Sequence, residues 1–165
     1  MTAIRGFPVE GGCGCGAVRY RMEAAPLFVH ACHCTWCQRE TGTAFALNAM
    51  IETDRVTLLS GEPKRVLTPS NSGTGQMIAR CPTCDIAVWS TYDGAGDVVR
   101  FVRVGTLDHP SAAPPDIHIF TVSKQPWVVL PFGAAVVEHY YDPIDYWPAE
   151  SLERRKAYAD RFAQN

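Results

Sequence analysis

The seven cysteines constrain this chain more than any other feature, because they are confined to three short groups. These groups are Cys13 and Cys15, then Cys32, Cys34 and Cys37, and last Cys81 and Cys84. A disulfide framework would leave one of seven thiols unpaired. The N-terminal segment has no apolar core of the signal-peptide type, so we expect a cytoplasmic protein whose clustered cysteines bind metal or take part in catalysis.

The remaining composition is that of an ordinary globular domain. The chain has 165 residues, of which 47% are hydrophobic and 19% charged, and this length fits one domain with at most a small appendage. A net charge of −2 and a pI near 6.2 argue against nucleic-acid binding by bulk electrostatics. The longest apolar stretch, residues 127–137, is interrupted by Pro131 and Gly133 and is shorter than the ~20 residues of a membrane span. We therefore expect no nucleic-acid partner and no membrane partner.

Short segments rich in β-branched and aromatic residues alternate with glycine and proline, which predicts a mainly β fold of short antiparallel strands. The candidate strands are residues 17–22, 44–51, 56–59, 77–80, 87–92, 98–104, 117–121 and 127–130. Residues 70–75 and 109–115 are predicted loops. A C-terminal helix is predicted over residues 148–163, where early acidic and later basic residues suit the helix dipole, and a short helix after Cys34 would end at Gly42.

The first and last cysteine pairs together suit one structural zinc site. Zinc binds thiolates at ~2.3 Å, so sulfurs that share one tetrahedral zinc lie less than ~4 Å apart. Cys81 and Cys84 have the two-residue spacing of a zinc knuckle, and glycines around Cys13 and Cys15 allow the backbone to bend toward the sulfurs. Each pair supplies two ligands, so a closed four-thiolate site needs both pairs. The alternatives for these residues are buried free cysteines or a redox dithiol.

The middle group offers three thiols within six residues, from Cys32 to Cys37. Three local thiolates can hold one metal and leave a fourth position for water or substrate, as in a catalytic zinc site. One alternative is a second structural site completed by His33, although alternation along an extended segment would direct His33 away from its neighbours. As the titratable residue nearest in sequence, His33 is also our candidate for proton transfer. A thioredoxin-like dithiol is less well supported, because no βαβ pattern surrounds it.

These motifs occur in the order typical of one known family. They are residues 12–20 (GCGCGAVRY), 32–39 (CHCTWCQR) with Thr41 and Gly42, and 80–84 (RCPTC), followed by weaker matches at 105–108, 115–120, Lys124 and Trp127. In these segments the chain resembles the glutathione-dependent formaldehyde-activating enzyme (GFA) family, which also includes centromere protein V. The resemblance covers about residues 10 to 132 and includes all seven cysteines.

The resemblance implies a β-rich, Mss4-like fold of short sheets held together by zinc. It also implies two zinc ions per chain, with the two sets of ligands suggested by the counting above. The structural ligands would be Cys13, Cys15, Cys81 and Cys84, and the catalytic ligands Cys32, Cys34 and Cys37. The implied activity is condensation of formaldehyde with glutathione, formally a carbon–sulfur lyase reaction run in reverse. Arg39 and Arg80 are our candidates for binding the carboxylates of such a thiol.

One residue departs from the family pattern. Family members usually carry glycine directly after the last cysteine pair, where this chain has Asp85. The knuckle must therefore accommodate a residue other than glycine at that position.

The motifs predict a GFA-like zinc-binding domain over residues 1–135 and a C-terminal extension over residues 136–165. The extension would pack on the same domain or on a second subunit of a homo-oligomer. The leading hypothesis is a two-zinc enzyme that acts on glutathione or another small thiol and a small aldehyde. The alternative is a non-catalytic interaction module of the same fold. A zinc-ribbon nucleic-acid binder is disfavoured by the acidic charge balance.

Overall fold

A computed structural model describes residues 6–92 and 98–163, without the side chain of Phe162. The strands are β1 (Val9–Gly12), β2 (Arg19–Met22), β3 (Phe28–Cys32), β4 (Ala46–Glu52), β5 (Val56–Ser60), β6 (Lys64–Thr68), β7 (Gln76–Arg80), β8 (Ala87–Thr91), β9 (Val99–Arg103), β10 (Ile117–Ile119) and β11 (Ala135–Val136). The helices are α1 (Thr35–Thr41), α2 (Pro143–Tyr146) and α3 (Ala149–Phe162).

Most strands belong to one eight-stranded sheet with the order β11-β10-β3-β4-β9-β8-β7-β6. β10 pairs in parallel with β3 and β11, whereas the other pairs in this sheet are antiparallel. The strands β1, β2 and β5 form a separate three-stranded antiparallel sheet. β3 therefore lies inside the large sheet, and its last residue, Cys32, is held between Ala46 of β4 and Ile119 of β10.

The predicted mainly β architecture with a C-terminal helix is confirmed. The short helix after Cys34 is confirmed as α1, which ends where Gly42 takes a left-handed conformation with φ of 66°. The predicted strand at 127–130 is wrong, because the segment lies between Pro126 and Pro131, which cannot donate to a ladder, and Val129 is 89% exposed. None of the helices in the described residues combines the length and hydrophobicity needed to cross a membrane.

Two hydrophobic cores lie under these sheets, and each contains cysteines. The first is built around Tyr20 and Met22 and includes Cys13 and Cys81. The second is formed by β3, α1 and the C-terminal segment; its members are Leu27, Phe28, Cys32, Cys34, Cys37, Ala46, Met50, Val99, Ile117, Ile119, Tyr141 and Trp147. Within it Trp147 stacks on Phe28 with ring centroids 5.7 Å apart, so the C-terminal segment packs against the strand that carries Cys32.

An ion pair attaches α3 to the large sheet. Arg154 donates through Nε and Nη2 to the two carboxylate oxygens of Glu52, at 3.1 and 2.8 Å. The Glu52 side chain is only 2% exposed, and Arg55 approaches it at 3.4 Å. The buried carboxylate therefore depends mainly on a residue of the C-terminal helix for its compensating charge.

Replacing Arg154 with methionine should lower the free energy of unfolding by about 3 kcal/mol, because it leaves a buried carboxylate with one longer ion pair. Urea unfolding would measure the change. Lys156→Met, an exposed substitution on the same helix, is the control and should stay within about 0.5 kcal/mol of the original protein. An Arg154→Met result inside that same range would contradict the role assigned to this ion pair.

Candidate active site

The first cysteine cluster brings together the pairs that are 66 residues apart in sequence. The Sγ atoms of Cys13, Cys15, Cys81 and Cys84 all lie within 4.8 Å of one another. The sulfurs of Cys13 and Cys15 are 3.5 Å apart, and those of Cys15 and Cys81 are 3.7 Å apart. Tetrahedral zinc with ~2.3 Å bonds requires sulfurs ~3.8 Å apart, so this donor set fits a closed four-thiolate site.

Backbone N–H groups support ionised sulfur in this cluster. Val18 N–H donates to Cys13 Sγ at 3.3 Å, and Thr83 N–H donates to Cys81 Sγ at 3.4 Å. Burial opposes ionisation of Cys13, but the Val18 N–H and neighbouring S–H groups outweigh it and lower the pKa of Cys13 to about 6. The cluster is thus prepared to bind a cation near neutral pH.

Asp85 adopts the left-handed backbone conformation at the end of the knuckle, although it is not a glycine. Its φ is 60°, the left-handed conformation that a glycine would adopt most easily and that aspartate adopts more readily than most residues. Its N–H donates to the Cys81 carbonyl at 3.1 Å, and its carboxylate pairs with Lys64 Nζ at 2.5 Å. The knuckle therefore keeps its turn without a glycine.

The second cluster is formed where β3 passes into α1. Cys32 is the last residue of β3, Cys34 is the N-cap of α1, and Cys37 lies in the first turn. All three are buried, and their sulfurs lie within 4.8 Å of one another. Cys37 N–H donates to Cys34 Sγ at 3.3 Å, so Cys34 caps the first turn of α1 through its sulfur. We call Cys32, Cys34 and Cys37 the cysteine triad.

The electrostatics of the triad favour a shared cation. Without one, S–H groups of Cys32 and Cys37 hydrogen-bond to the Cys34 sulfur, which lowers the pKa of Cys34 to about 3. The same hydrogen bond to Cys34 raises the pKa of Cys32, so the three thiols resist ionising together. A divalent metal removes this conflict, and the donor set therefore fits a metal with three protein ligands.

The triad lines a cavity of about 430 Å³, a size suited to a small molecule. Five aromatic residues from separate elements also line it: Trp36, Tyr92, Phe101, Phe120 and Tyr140. Polar residues of the loop between β6 and β7 line it as well: Ser70, Asn71, Ser72 and Thr74. The other lining residues are His30, Asn48, Gln76 and Ile119. The cavity thus combines three cysteines that could hold a metal with apolar walls and neutral polar groups.

Two side-chain amides line the cavity, and the hydrogen bonds around each one show which of its groups is available to a ligand. The buried guanidinium of Arg103 donates through Nη1 to Asn48 Oδ1, so the group that Asn48 can offer a ligand is its NH₂. Gln76 is 3% exposed, and its Oε1 has no hydrogen-bond partner among the described residues. A buried acceptor without a partner is costly, so Gln76 is a candidate to receive a ligand's donor.

His30 lines the cavity and is connected to the C-terminal segment. Trp147 Nε1 donates to the Tyr141 hydroxyl at 2.8 Å, and that hydroxyl lies 2.5 Å from His30 Nε2. Trp147 can only donate, so the Tyr141 hydroxyl accepts from it, and the direction of the Tyr141–His30 hydrogen bond follows from the tautomer of His30. Burial lowers the pKa of His30 to about 3, so its imidazole is neutral at neutral pH. The structure thus places a neutral imidazole in the lining of the cavity.

His33 lies outside the cavity lining. Its Nε2 lies 3.0 Å from His118 Nδ1, its ring packs on Phe45, and burial lowers its pKa to about 4. It is not part of either cysteine cluster, as alternation along the chain implies. Proton transfer by His33 stays a prediction, which unchanged turnover in His33→Gln would exclude.

The two arginines predicted to bind carboxylates also lie outside the lining of this cavity. Arg39 is exposed on α1. Arg80 is ion-paired with Glu40, donates to the Asp85 carbonyl at 3.1 Å and lines a second cavity of about 590 Å³. Their carboxylate-binding roles stay predictions.

Three polar residues that line the cavity beside the triad, His30, Asn48 and Gln76, could not be assigned to it from the sequence. His30 had a usable signal, because it precedes Cys32 by two residues and so shares its face of β3. Asn48 lies opposite His30 in the pairing of β3 with β4, which only the fold discloses. Gln76 belongs to β7, several strands away in the sheet, and no local pattern marks it.

Comparisons with known proteins agree with the motifs. The model of the family described as glutathione-dependent formaldehyde-activating enzyme matches residues 8–123. A Halomonas elongata protein with the provisional name glutathione-dependent formaldehyde-activating enzyme is 26% identical over 127 residues, which cover 74% of this chain and 80% of that protein.

A crystal structure of a Rhodobacter sphaeroides protein is similar with a TM-score of 0.45 and 22% identity, over 60% of this chain and 87% of that one. The family match, by contrast, spans most of the described chain and both cysteine clusters. The chain therefore belongs to the glutathione-dependent formaldehyde-activating enzyme (GFA) family.

Proposed function

We propose that this protein is a zinc-dependent carbon–sulfur lyase that adds a small thiol to formaldehyde or a related aldehyde, or catalyses the reverse. The observation that carries the proposal is that the cysteine triad lines a cavity of small-molecule size. Three protein ligands would leave a metal one position for a substrate, which a purely structural site does not need. Membership of the GFA family and the name of the Halomonas elongata relative support the same chemistry.

The two clusters would have separate roles. Cys13, Cys15, Cys81 and Cys84 would hold a structural zinc, and the triad would hold a second, catalytic one. A zinc at the triad supplies Lewis acidity that lowers the pKa of a substrate thiol. We also place the protein in the cytoplasm, where reducing conditions keep both the cysteines and a thiol substrate reduced.

The cavity residues would stabilise the charge that develops as the thiol adds to the aldehyde. In the addition one carbon–sulfur bond forms, the C=O double bond becomes a single bond, and the thiol proton ends on the oxygen. The Asn48 NH₂ would donate to the oxygen as negative charge develops. The aromatic walls would exclude water and hold the two reactants together.

Exchange spectroscopy with ¹³C-labelled formaldehyde tests this function. The zinc-loaded protein should accelerate the interconversion of free formaldehyde and its hemithioacetal with the thiol, and the rate should rise in proportion to protein concentration. The same protein stripped of metal by a chelator is the control and should give the buffer rate. A buffer rate for the zinc-loaded protein with every thiol tried would contradict the enzyme proposal and favour the interaction-module alternative.

A further inference from the structure

We propose that the thiol taken by this cavity is uncharged, an aromatic or alkyl thiol without a carboxylate, rather than glutathione. This inference rests on the proposed function, because it concerns the thiol bound beside the triad. It narrows the substrate class from small thiols in general to neutral ones.

The described part of the cavity lining is uncharged apart from the triad. Among the lining residues that the structure describes there is no lysine, arginine, aspartate or glutamate. The polar groups are amides, hydroxyls and one imidazole. Glutathione would bring two carboxylates, and the described lining provides no cationic side chain to pair with either of them. A desolvated charge without a partner is strongly unfavourable.

The charge at a zinc-loaded triad also disfavours a carboxylate on the thiol. Three thiolates around a divalent zinc carry a net charge of −1, which repels a carboxylate held beside them. The buried cation Arg103 attracts the Cys37 thiolate, but it does not line the cavity and so forms no direct ion pair with a ligand's carboxylate. Its Nη1 is bonded to the carbonyl oxygen of Asn48, and its side chain lines the second cavity instead. Arg80, also in that second cavity, is already paired with Glu40.

The groups that line the cavity suit a neutral substituent on the thiol. Its aromatic walls provide apolar surface for a neutral substituent on the thiol. Gln76 Oε1, buried and without a partner in the described residues, can accept a hydrogen bond from one uncharged donor. The Asn48 NH₂ can donate a hydrogen bond to one uncharged acceptor. The aldehyde oxygen satisfies the Asn48 donor in any addition, so the apolar walls and Gln76 Oε1 are what the lining offers the substituent of the thiol, and neither of them stabilises a carboxylate.

Matched thiols on the cobalt(II)-loaded protein test the proposal. The probes are 4-(mercaptomethyl)benzamide and 4-(mercaptomethyl)benzoate, which share a scaffold and differ in charge at a site remote from the sulfur; glutathione is the third probe. Changes in the visible absorption of cobalt report binding without requiring turnover. We expect the benzamide to bind at least about tenfold more tightly than the benzoate, a difference of one decade in Kd, and more tightly than glutathione.

The outcomes separate this inference from the function on which it rests. If the benzoate or glutathione binds as tightly as the benzamide, the uncharged-thiol proposal is overturned and the lyase proposal stands. If no thiol changes the cobalt spectrum, the triad has no open position for a thiol and both proposals fall.

A charge placed at the cavity provides an independent check. Asn71 is an exposed lining residue, so substitutions there should not disturb the fold. Asn71→Lys should reduce the preference for the benzamide over the benzoate by about threefold, as expected for one partly solvated ion pair. Asn71→Met has a side chain of similar length without the charge and should keep the original preference. Equal preferences in the two variants would overturn charge as the basis of selection.

Discussion

Replacing Cys15 with serine should lower the melting temperature by about 10 °C or more, because the first cluster would lose one of the four thiolates that we propose hold a structural zinc. Cys15 is exposed, so the substitution removes little packing and the change reports mainly on the metal. Thermal unfolding of the zinc-loaded protein, followed by circular dichroism, measures the effect. A metal chelator should lower the melting temperature of the original protein toward that of the variant.

Thr83→Ser is the matched control for this prediction. Thr83 is an exposed residue of the same knuckle and contributes no sulfur, so its substitution should shift the melting temperature by no more than about 2 °C. If Cys15→Ser melts within that same interval, the first cluster does not hold the structural metal that stabilises the fold.

The Cys34→Ser variant should lose at least about 10³-fold in kcat/KM while it keeps its fold, because the triad then has two sulfurs instead of three. Cys34 also caps α1 through its sulfur, a role that a serine hydroxyl fills equally well. The melting temperature should therefore fall much less than in Cys15→Ser. The exchange assay with labelled formaldehyde measures the loss.

Thr35→Ser is the control for the triad, since Thr35 is exposed and directly follows Cys34. It should retain turnover within about twofold, since it removes only an exposed methyl group. Full activity in Cys34→Ser would mean that the chemistry does not occur at the triad. A collapse of the fold equal to that of Cys15→Ser would mean that the triad is a second structural site.

The two cysteine clusters could be predicted from sequence because cysteine itself marks their members. Cys81 and Cys84 reveal their proximity through spacing alone, and glycines mark the bend around Cys13 and Cys15. The count of seven cysteines then divides into four and three. Likewise α3 has its charges arranged along the dipole, so a local pattern was sufficient.

Other elements carried no such local signal. β3 is buried along its whole length, so the alternation that marks a half-buried strand is missing. β1, β6 and β11 were missed as well: β1 is rich in glycine, β6 lies at the edge of the large sheet, and β11 has two residues. The cavity was harder still, because Asn48 and Gln76 reach it from β4 and β7 through the order of strands in the sheet.

The arginines show why proximity in sequence is a poor guide to a binding site. Arg39 follows the triad closely, yet α1 carries it to the surface. Arg80 adjoins a cysteine of the other cluster and is paired with Glu40, so its charge is already compensated. The buried cation that bonds to a cavity residue is Arg103, on β9, whose position depends on the pairing of β4 with β9.

Native mass spectrometry of the purified chain tests the central claim most directly, because it counts metal and bound thiol on the same molecules. The account predicts two zinc ions per chain, with a neutral thiol adding noncovalently to the two-zinc form only. A single tightly held zinc ion and no thiol adduct would contradict an open metal site at the triad. The protein would then be a zinc-stabilised member of the family without the proposed chemistry.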